Sequence, residues 1–309
     1  MRALTFAEYG PASVLRVADV PEPHAGRDRI RVRVRASGLT PADCRLRAGR
    51  FRDVAPLRLP HVLGMDAAGV VDEVGPGVTG IRPGDEVFGL VDVAELGGAN
   101  AEYAVLAAWA RKPDALSWEQ AGGAAGNVET ATRALDRLRV GAGTTLLIEG
   151  AAGGVGTVAV QLAAARGATV IGTAGVRNHT FVAGLGATPT TYGPGLEERV
   201  ATLAPDGVDA ALDCAGSGSL PALVDLAGSP DRVVTIADTN AAEHGVHHTR
   251  SAGPGADPQA LEGLAVAAAL AGQGRFTVPV AAVFPLDDAA AAHRLSETGH
   301  ARGKIVLTP

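Results

Sequence analysis

The stretch Thr144–Gly156, TTLLIEGAAGGVG, constrains the chain more than any other. Thr144–Glu149 is short and apolar and is flanked by Gly143 and Gly150, which predicts a buried strand. Gly150–Gly156 is a glycine-rich turn, and Val155–Arg166 continues with small and branched apolar residues and no proline, which predicts a helix. A second apolar run, Thr169–Thr173, follows Gly167. Strand, glycine turn, helix and strand in this order open a dinucleotide-binding fold. The glycines have a physical reason: a diphosphate sits on free N–H groups at a helix N-terminus, and side chains at Gly153 and Gly154 would hold it away. Gly156 lets the helix lie close to the strand.

The second signal is an absence. NAD-selective sites carry Asp or Glu at the end of the second strand, bound to the ribose hydroxyls. From Thr157 to Leu196 this sequence has no acid. After the second strand it reads Thr173-Ala174-Gly175-Val176-Arg177-Asn178-His179. Arg177 can pair with a 2′-phosphate, and a hydrogen bond to a charged group is worth about 1.5–3 kcal/mol. The residues therefore favour NADPH over NADH.

Length and composition bound the rest. At 309 residues two domains are expected, and a 47% apolar fraction fits a globular α/β protein. The net charge of −6 argues against nucleic acid as a partner. Two cysteines, Cys44 and Cys214, are too few for a disulfide scaffold and lack zinc-site spacing. No run resembles a membrane span and the N-terminus has no secretory apolar core, so a soluble, cytoplasmic protein without a membrane partner is expected.

The chain changes texture along its length. Residues 1–113 are rich in short strand candidates, among them Arg29–Ala36 (RIRVRVRA), which alternates basic and apolar residues as a strand with one wet face does. Ser117-Trp118-Glu119-Gln120 resembles a capping box. From there strands and helices alternate, which predicts a parallel sheet with right-handed crossovers. Arg232–Ala237 reads as an apolar edge strand that needs cover, and Asn240–Pro258 as a polar loop near the site.

Six segments, the glycine turn among them, carry a family resemblance. They are Gly38–Asp43 (GLTPAD), Leu63–Val71 (LGMDAAGVV), Val74–Val78 (VGPGV), Arg82–Gly89 (RPGDEVFG), Gly150–Gly156 (GAAGGVG) and Arg302–Leu307 (RGKIVL). With them the whole chain resembles the zinc-free quinone oxidoreductase branch of the medium-chain dehydrogenase/reductase superfamily. The resemblance implies an α/β fold with a GroES-like β-rich domain, residues 1–113 completed by about 275–309. A Rossmann doubly wound parallel-sheet domain, 114–274, is inserted between. It also implies an active cleft between the domains and a homodimer formed by edge strands of the Rossmann sheets.

Zinc enzymes of this superfamily place Cys where Thr40 stands and His-Glu where Met65-Asp66 stands, and their four-cysteine lobe has no counterpart in Gly89–Gly98. Thr and Met are not zinc ligands, so a metal-free site is expected. The His247-His248 pair is expected in a loop, solvated or lining the cleft. Without a Lewis acid the favoured chemistry is hydride addition to a quinone or to the β-carbon of an enone. Thr40 stands where relatives have Asn and can donate to the acceptor's carbonyl; Asp43 is expected to brace the loop. Arg45 stands where relatives carry Tyr, and is a candidate for an anionic substrate. Cys44 is expected to be structural, and Tyr103 and His61 are weak candidates for a general acid.

For the cofactor, the resemblance places Thr130 near the nicotinamide and Gly153, Gly154 and Val155 at the diphosphate. It places Thr173, Ala174, Arg177, His179 and Tyr192 around the adenosine phosphate. Cys214, Ala215, Ile236 and Ala237 follow two strand ends, and Lys304 or Arg302 closes over the cofactor. Glu129 is unusual beside a nicotinamide. The expected activity is NADPH-dependent reduction of quinones or enones. The alternatives are a dedicated biosynthetic enoyl reductase and a non-catalytic NADPH-binding structural or regulatory protein.

Overall fold

Short strands with one buried face build the first part of the chain. The computed structural model describes residues 1–53, 56–93 and 97–309. Part of the Gly89–Gly98 segment therefore lies outside the described residues. Strand β1 (Arg2–Phe6) pairs antiparallel with β2 (Arg16–Asp19). Strand β3 (Ile30–Leu39) alternates as its sequence predicts: Ile30, Val32 and Val34 are buried while Arg33 and Arg35 are exposed. Arg31 stays half-buried, paired with Asp72 at 2.9 Å and lying 5.0 Å over the Tyr103 ring. Helix α1 (Pro41–Arg47) follows directly, and β4 (His61–Val62) completes the small sheet in the order β2-β1-β4.

The larger sheet adds β5 (Asp66–Val74), β6 (Glu86–Leu90), β7 (Tyr103–Leu106) and β8 (Ala108–Arg111). Helix α2 (Trp118–Gly122) starts at the expected capping box: the Ser117 hydroxyl accepts from the Gln120 N–H and the Gln120 side chain accepts from the Ser117 N–H. Helix α3 (Ala125–Arg137) leads into the second half.

That half is a parallel sheet with helices between its strands. Its elements are β9 (Thr145–Glu149), α4 (Gly154–Ala165), β10 (Thr169–Thr173), α5 (His179–Gly184), β11 (Thr188–Thr190) and α6 (Leu196–Leu203). Then come β12 (Ala210–Asp213), α7 (Leu220–Ala227), β13 (Val233–Thr235) and β14 (His247–His248). The strand order is β11-β10-β9-β12-β13-β14, all parallel. This is the doubly wound 3-2-1-4-5-6 order, whose switch point lies between β9 and β12. Its core includes Leu147, Ile171, Ala211, Leu220, Leu223 and Val233.

The chain then returns to the larger antiparallel sheet through α8 (Gly263–Gly272), β15 (Val280–Pro285), α9 (Ala289–Glu297) and β16 (Lys304–Thr308). The order there is β15-β16-β3-β5-β6-β8, with β7 also on β3. Two compact units result: Met1–Asn127 with Leu261–Pro309, and Val128–Ala260. The α/β class, the β-rich domain and the inserted Rossmann sheet match the sequence reading. The unit limits differ from the expected 113/114 and 274/275. Helix α2 is seated on β3, where a Cβ at Gly122 would lie 2.6 Å from the Ala36 carbonyl oxygen, and α8 packs on β8.

Three expectations need correction. Arg232–Ala237 is not an edge: β13 is covered by β14, with Val234 opposite His247 and Thr235 opposite His248. His247-His248 is that strand and not a loop, because backbone pairing to β13 fixes it. Lys304 does not reach out over a ligand. It is 3% exposed, threads past Gly38 and Gly123, and holds Asp66 at 3.3 Å. Its charge is already used, since Asp66 is fully buried and Lys304 is the cation bonded to it.

Breaking a buried ion pair from one side costs about 3–5 kcal/mol, because the remaining charge is left unpaired. Lys304→Met should destabilise the protein by about that much, read from denaturant unfolding. The double variant Asp66→Asn/Lys304→Met should recover most of the loss. Dinucleotide affinity of the folded Lys304→Met protein should be unchanged.

Candidate active site

Each unit brings candidate residues together, and each is described by itself. In the Rossmann unit the parallel strands send all their C-terminal ends to one edge. Gly150–Gly156 follows β9, Ala174–His179 follows β10, Tyr192 follows β11, Cys214–Ser219 follows β12, and Ile236–Ala237 follows β13. The sequence-predicted cofactor residues of this unit that close or follow a strand therefore share that edge, and Thr130 stands on helix α3.

The glycine turn is built by close approaches. Gly150 has φ +76, in the left-handed region that suits glycine. A Cβ at Gly156 would lie 2.2 Å from the Gly150 carbonyl oxygen, so any side chain there would push α4 off the strand end. Gly153 is the N-cap of α4 and offers no side chain to the first turn. The N–H groups of that turn have no intrahelical partners, and Gly153, Gly154 and Val155 are half-exposed. A Cβ at Gly153 would come 3.3 Å from the Gly150 carbonyl oxygen and crowd the cradle. These observations fit a diphosphate held on backbone N–H groups.

Around β10 the expected residues divide. Thr173 is fully buried and its hydroxyl accepts the Gly150 N–H at 3.2 Å, so it shapes the turn from below. Ala174 is buried; its N–H donates to the Thr190 carbonyl and its own carbonyl lies 3.2 Å from His179 Nε2. Arg177 is exposed in a short 3-10 turn, Val176–Asn178. Tyr192 is 61% exposed, and Arg199 holds its loop through the carbonyls of Thr191, Gly193 and Pro194.

The loop after β12 is pinned more firmly than the sequence shows. Asp213 accepts the N–H groups of Ala215 and Gly216 at 2.8 and 2.9 Å and the Thr235 hydroxyl at 2.7 Å. Glu149, the last residue of β9, accepts the Ser217 hydroxyl at 2.9 Å and the Ser219 hydroxyl. Cys214 is half-buried and Ala215 exposed. Ile236 and Ala237 are half-buried, with the Ile236 N–H on the Asp213 carbonyl. Sequence reasoning missed Glu149; its signal was a charge closing a buried strand immediately before the glycine turn.

Helix α3 accounts for Glu129. Its carboxylate is buried against Arg133 one turn on, at 2.7 Å, and accepts the Thr130 hydroxyl at 3.3 Å and the Ala260 N–H at 3.4 Å. Arg133 continues to Thr249 at 2.5 Å, Thr249 to Asp257 at 2.5 Å, and Asp257 lies 2.8 Å from His247. Thr130 is half-exposed on this helix.

In the β-rich unit Thr40 caps α1. Its hydroxyl donates to Asp43 at 2.9 Å and accepts the Asp43 N–H at 3.3 Å, and its own N–H donates to the same carboxylate at 2.8 Å. The other Asp43 oxygen takes the Gly64 N–H at 3.2 Å. Asp43 is fully buried, and burial raises its pKa against the opposing pull of the Thr40 bonds and Lys304. It braces the loop, as its position implied. Arg45 is exposed. Cys44 lies 3.3 Å from His293 Nδ1, and burial pushes its thiol up to about 11, the state of a buried structural cysteine.

These residues do not fit a catalytic zinc. Thr40 offers a neutral hydroxyl, the Met65 sulfur 4.0 Å away is a thioether, and Asp66 is held by Lys304. Among the described residues no three His, Cys, Asp or Glu side chains are grouped to hold a metal ion. Among them, too, no helix is long and apolar enough to cross a membrane.

Comparison with known proteins agrees with this architecture. A family model described as alcohol dehydrogenase GroES-like domain matches residues 26–114, and one described as zinc-binding dehydrogenase matches 185–307. The NADPH-dependent alkenal/one oxidoreductase of Arabidopsis thaliana is 35% identical over 171 residues, 53% of this chain. That match spans 44% of the relative's own length. The quinone oxidoreductase of Sus scrofa is 31% identical over 330 residues, covering 99% of this chain and 97% of that protein. The solved quinone oxidoreductase of Coxiella burnetii is 30% identical with a TM-score of 0.84, covering 100% of this chain and 99% of its own. Near-complete coverage of both units, with the glycine turn at the switch point of the sheet, places this chain in the quinone oxidoreductase branch of the medium-chain dehydrogenase/reductase superfamily.

Proposed function

We propose that the chain is a zinc-independent oxidoreductase that uses NADPH to reduce a quinone or an α,β-unsaturated carbonyl. The observation that carries this reading is the sheet edge. A glycine turn at the switch point offers unobstructed N–H groups, and the end of β10 carries Arg177 and no acid. The names of the relatives, quinone oxidoreductase and NADPH-dependent alkenal/one oxidoreductase, support it.

Gly153, Gly154 and Val155 would hold the diphosphate through the first turn of α4. Arg177, with His179 and Tyr192, would take the adenosine phosphate. Cys214, Ala215, Ile236 and Ala237 would line the crevice, and Thr130 would lie toward the nicotinamide. The bound nicotinamide supplies a hydride, and the acceptor needs a hydride and a proton for two-electron reduction. Thr40 would orient the acceptor by turning its hydroxyl from Asp43 to the carbonyl oxygen, with Asp43 still bracing the α1 N-terminus through the Thr40 and Gly64 N–H groups. Solvent supplies the proton. We also propose a homodimer. Its interface would use the outer backbone edge of β14, at the end of the sheet order, instead of the β13 region.

NADPH consumption followed by absorbance against simple quinones and enones, with NADH in parallel, checks the activity. Turnover of several simple quinones with NADPH is the expected result. Indifference to them with turnover of one complex enone would shift the reading to a dedicated enoyl reductase. Binding without turnover of any acceptor would shift it to a non-catalytic NADPH-binding protein. Arg177→Ala should weaken NADPH by about ten- to a hundredfold and leave NADH unchanged, measured as dissociation constants. Thr40→Val should lower kcat/KM for the acceptor by about tenfold or more without changing dinucleotide affinity, and Thr40→Ser should retain activity.

A further inference from the structure

Glu149 is a buried carboxylate that the reaction above does not use. It is 2% exposed and ends β9 one residue before the glycine turn. Its cross-strand neighbour on β12 is Asp213. The two acids are compensated differently. Asp213 receives two backbone N–H groups and the Thr235 hydroxyl. Among the described residues the Glu149 carboxylate receives the hydroxyls of Ser217 and Ser219 and no backbone N–H. On the elements packed against it, Asp213 and Cys214 are the titratable groups that act on it or feel its charge. Thr173 on β10 is neutral and its hydroxyl serves Gly150, and α4 carries no ionisable residue. Among the described residues no cation is bonded to Glu149.

A serine hydroxyl can donate to a carboxylate or turn and accept from a carboxylic acid. The Ser217–Ser219 pair therefore accommodates Glu149 in either state. Burial and Asp213 already favour the neutral acid, while the two serine donors favour the charged form. A diphosphate on the N–H groups of α4 brings further negative charge to the turn that begins at the residue after Glu149, and like charge disfavours ionisation.

We propose that Glu149 couples dinucleotide binding to proton uptake: phosphates settling on the glycine turn convert its carboxylate to the acid, which stays bonded to Ser217 and Ser219. The inference rests on the reading that this turn holds a nicotinamide dinucleotide. The sign follows from linkage. Binding raises the proton affinity of Glu149, so affinity is highest at low pH. It falls as pH climbs from the free-state midpoint to the higher bound-state midpoint, and levels off above both.

Calorimetric titration of the full-length protein with NADH, in two buffers of different ionisation enthalpy, reads the protons taken up. NADH lacks the 2′-phosphate, whose own titration would also move protons. Above the ordinary carboxylate range, across a series of pH values, the wild type should take up a fraction of a proton per NADH, and affinity should fall by up to about tenfold per pH unit within the window. Glu149→Gln, checked for native circular dichroism, should show no uptake and a dissociation constant that varies less than about twofold. Ser217→Ala/Ser219→Ala, which removes the donors that favour the charged form, should move the window to higher pH. Binding of NADH without proton uptake would overturn the proposal alone. So would equal uptake in wild type and Glu149→Gln, or an unmoved window in the double serine variant. Absence of any dinucleotide binding would overturn the cofactor reading and this proposal with it.

Discussion

The contact between Gly156 and the Gly150 carbonyl is the constraint on which the Rossmann unit depends. Because no side chain intervenes, α4 begins directly behind the end of β9. Its first-turn N–H groups then open on the edge where every parallel strand ends. Gly172 extends the same logic to the next strand: a Cβ there would meet Ala151 at 2.7 Å, so β10 leaves room for the turn to fold down. Thr173, one residue on, ties that turn from below through Gly150. The cradle is thus shaped by Gly150, Gly153, Gly156 and Gly172 and one buried hydroxyl before any ligand is considered.

Both units also bury charge, and in each the geometry decides what the charge can do. Lys304 and Asp66 neutralise one another inside the β-rich unit, which makes them structural. Glu129 and Arg133 do the same within α3 and extend through Thr249 to Asp257 and His247, tying the helix to the end of β14. Glu149 differs because its partners are hydroxyls, which satisfy it without neutralising it. A carboxylate held this way remains free to change its protonation state.

Much of the fold was readable because its signals are local. Strand, glycine turn and helix lie within a single βαβ unit, and the handedness of crossovers leaves few ways to order the strands that follow. The capping box at Ser117 needed only neighbouring residues. What sequence reasoning misplaced depends on distant partners. Lys304 was expected to close over the cofactor, yet its burial is set by Gly38, Asp66 and Gly123. The partners of Glu149 lie 68 and 70 residues further on. The unit limits follow from helices docking on strands far away in the chain. Thr40 is a different case. Its T-x-x-D spacing to Asp43 is itself a capping signal, and the structure shows that bond made.

The Glu129 carboxylate has one more consequence. It accepts the N–H of Ala260, and these two residues stand at the two ends of the unit that runs from Val128 to Ala260. An insert whose first and last residues adjoin can be accepted by a host fold without stretching either strand of the host. Seen this way, the Rossmann unit is a cassette whose neck the Glu129 side chain bridges. Its ends are near enough that a short peptide could join them, or that a different insert with an equally narrow neck could take its place.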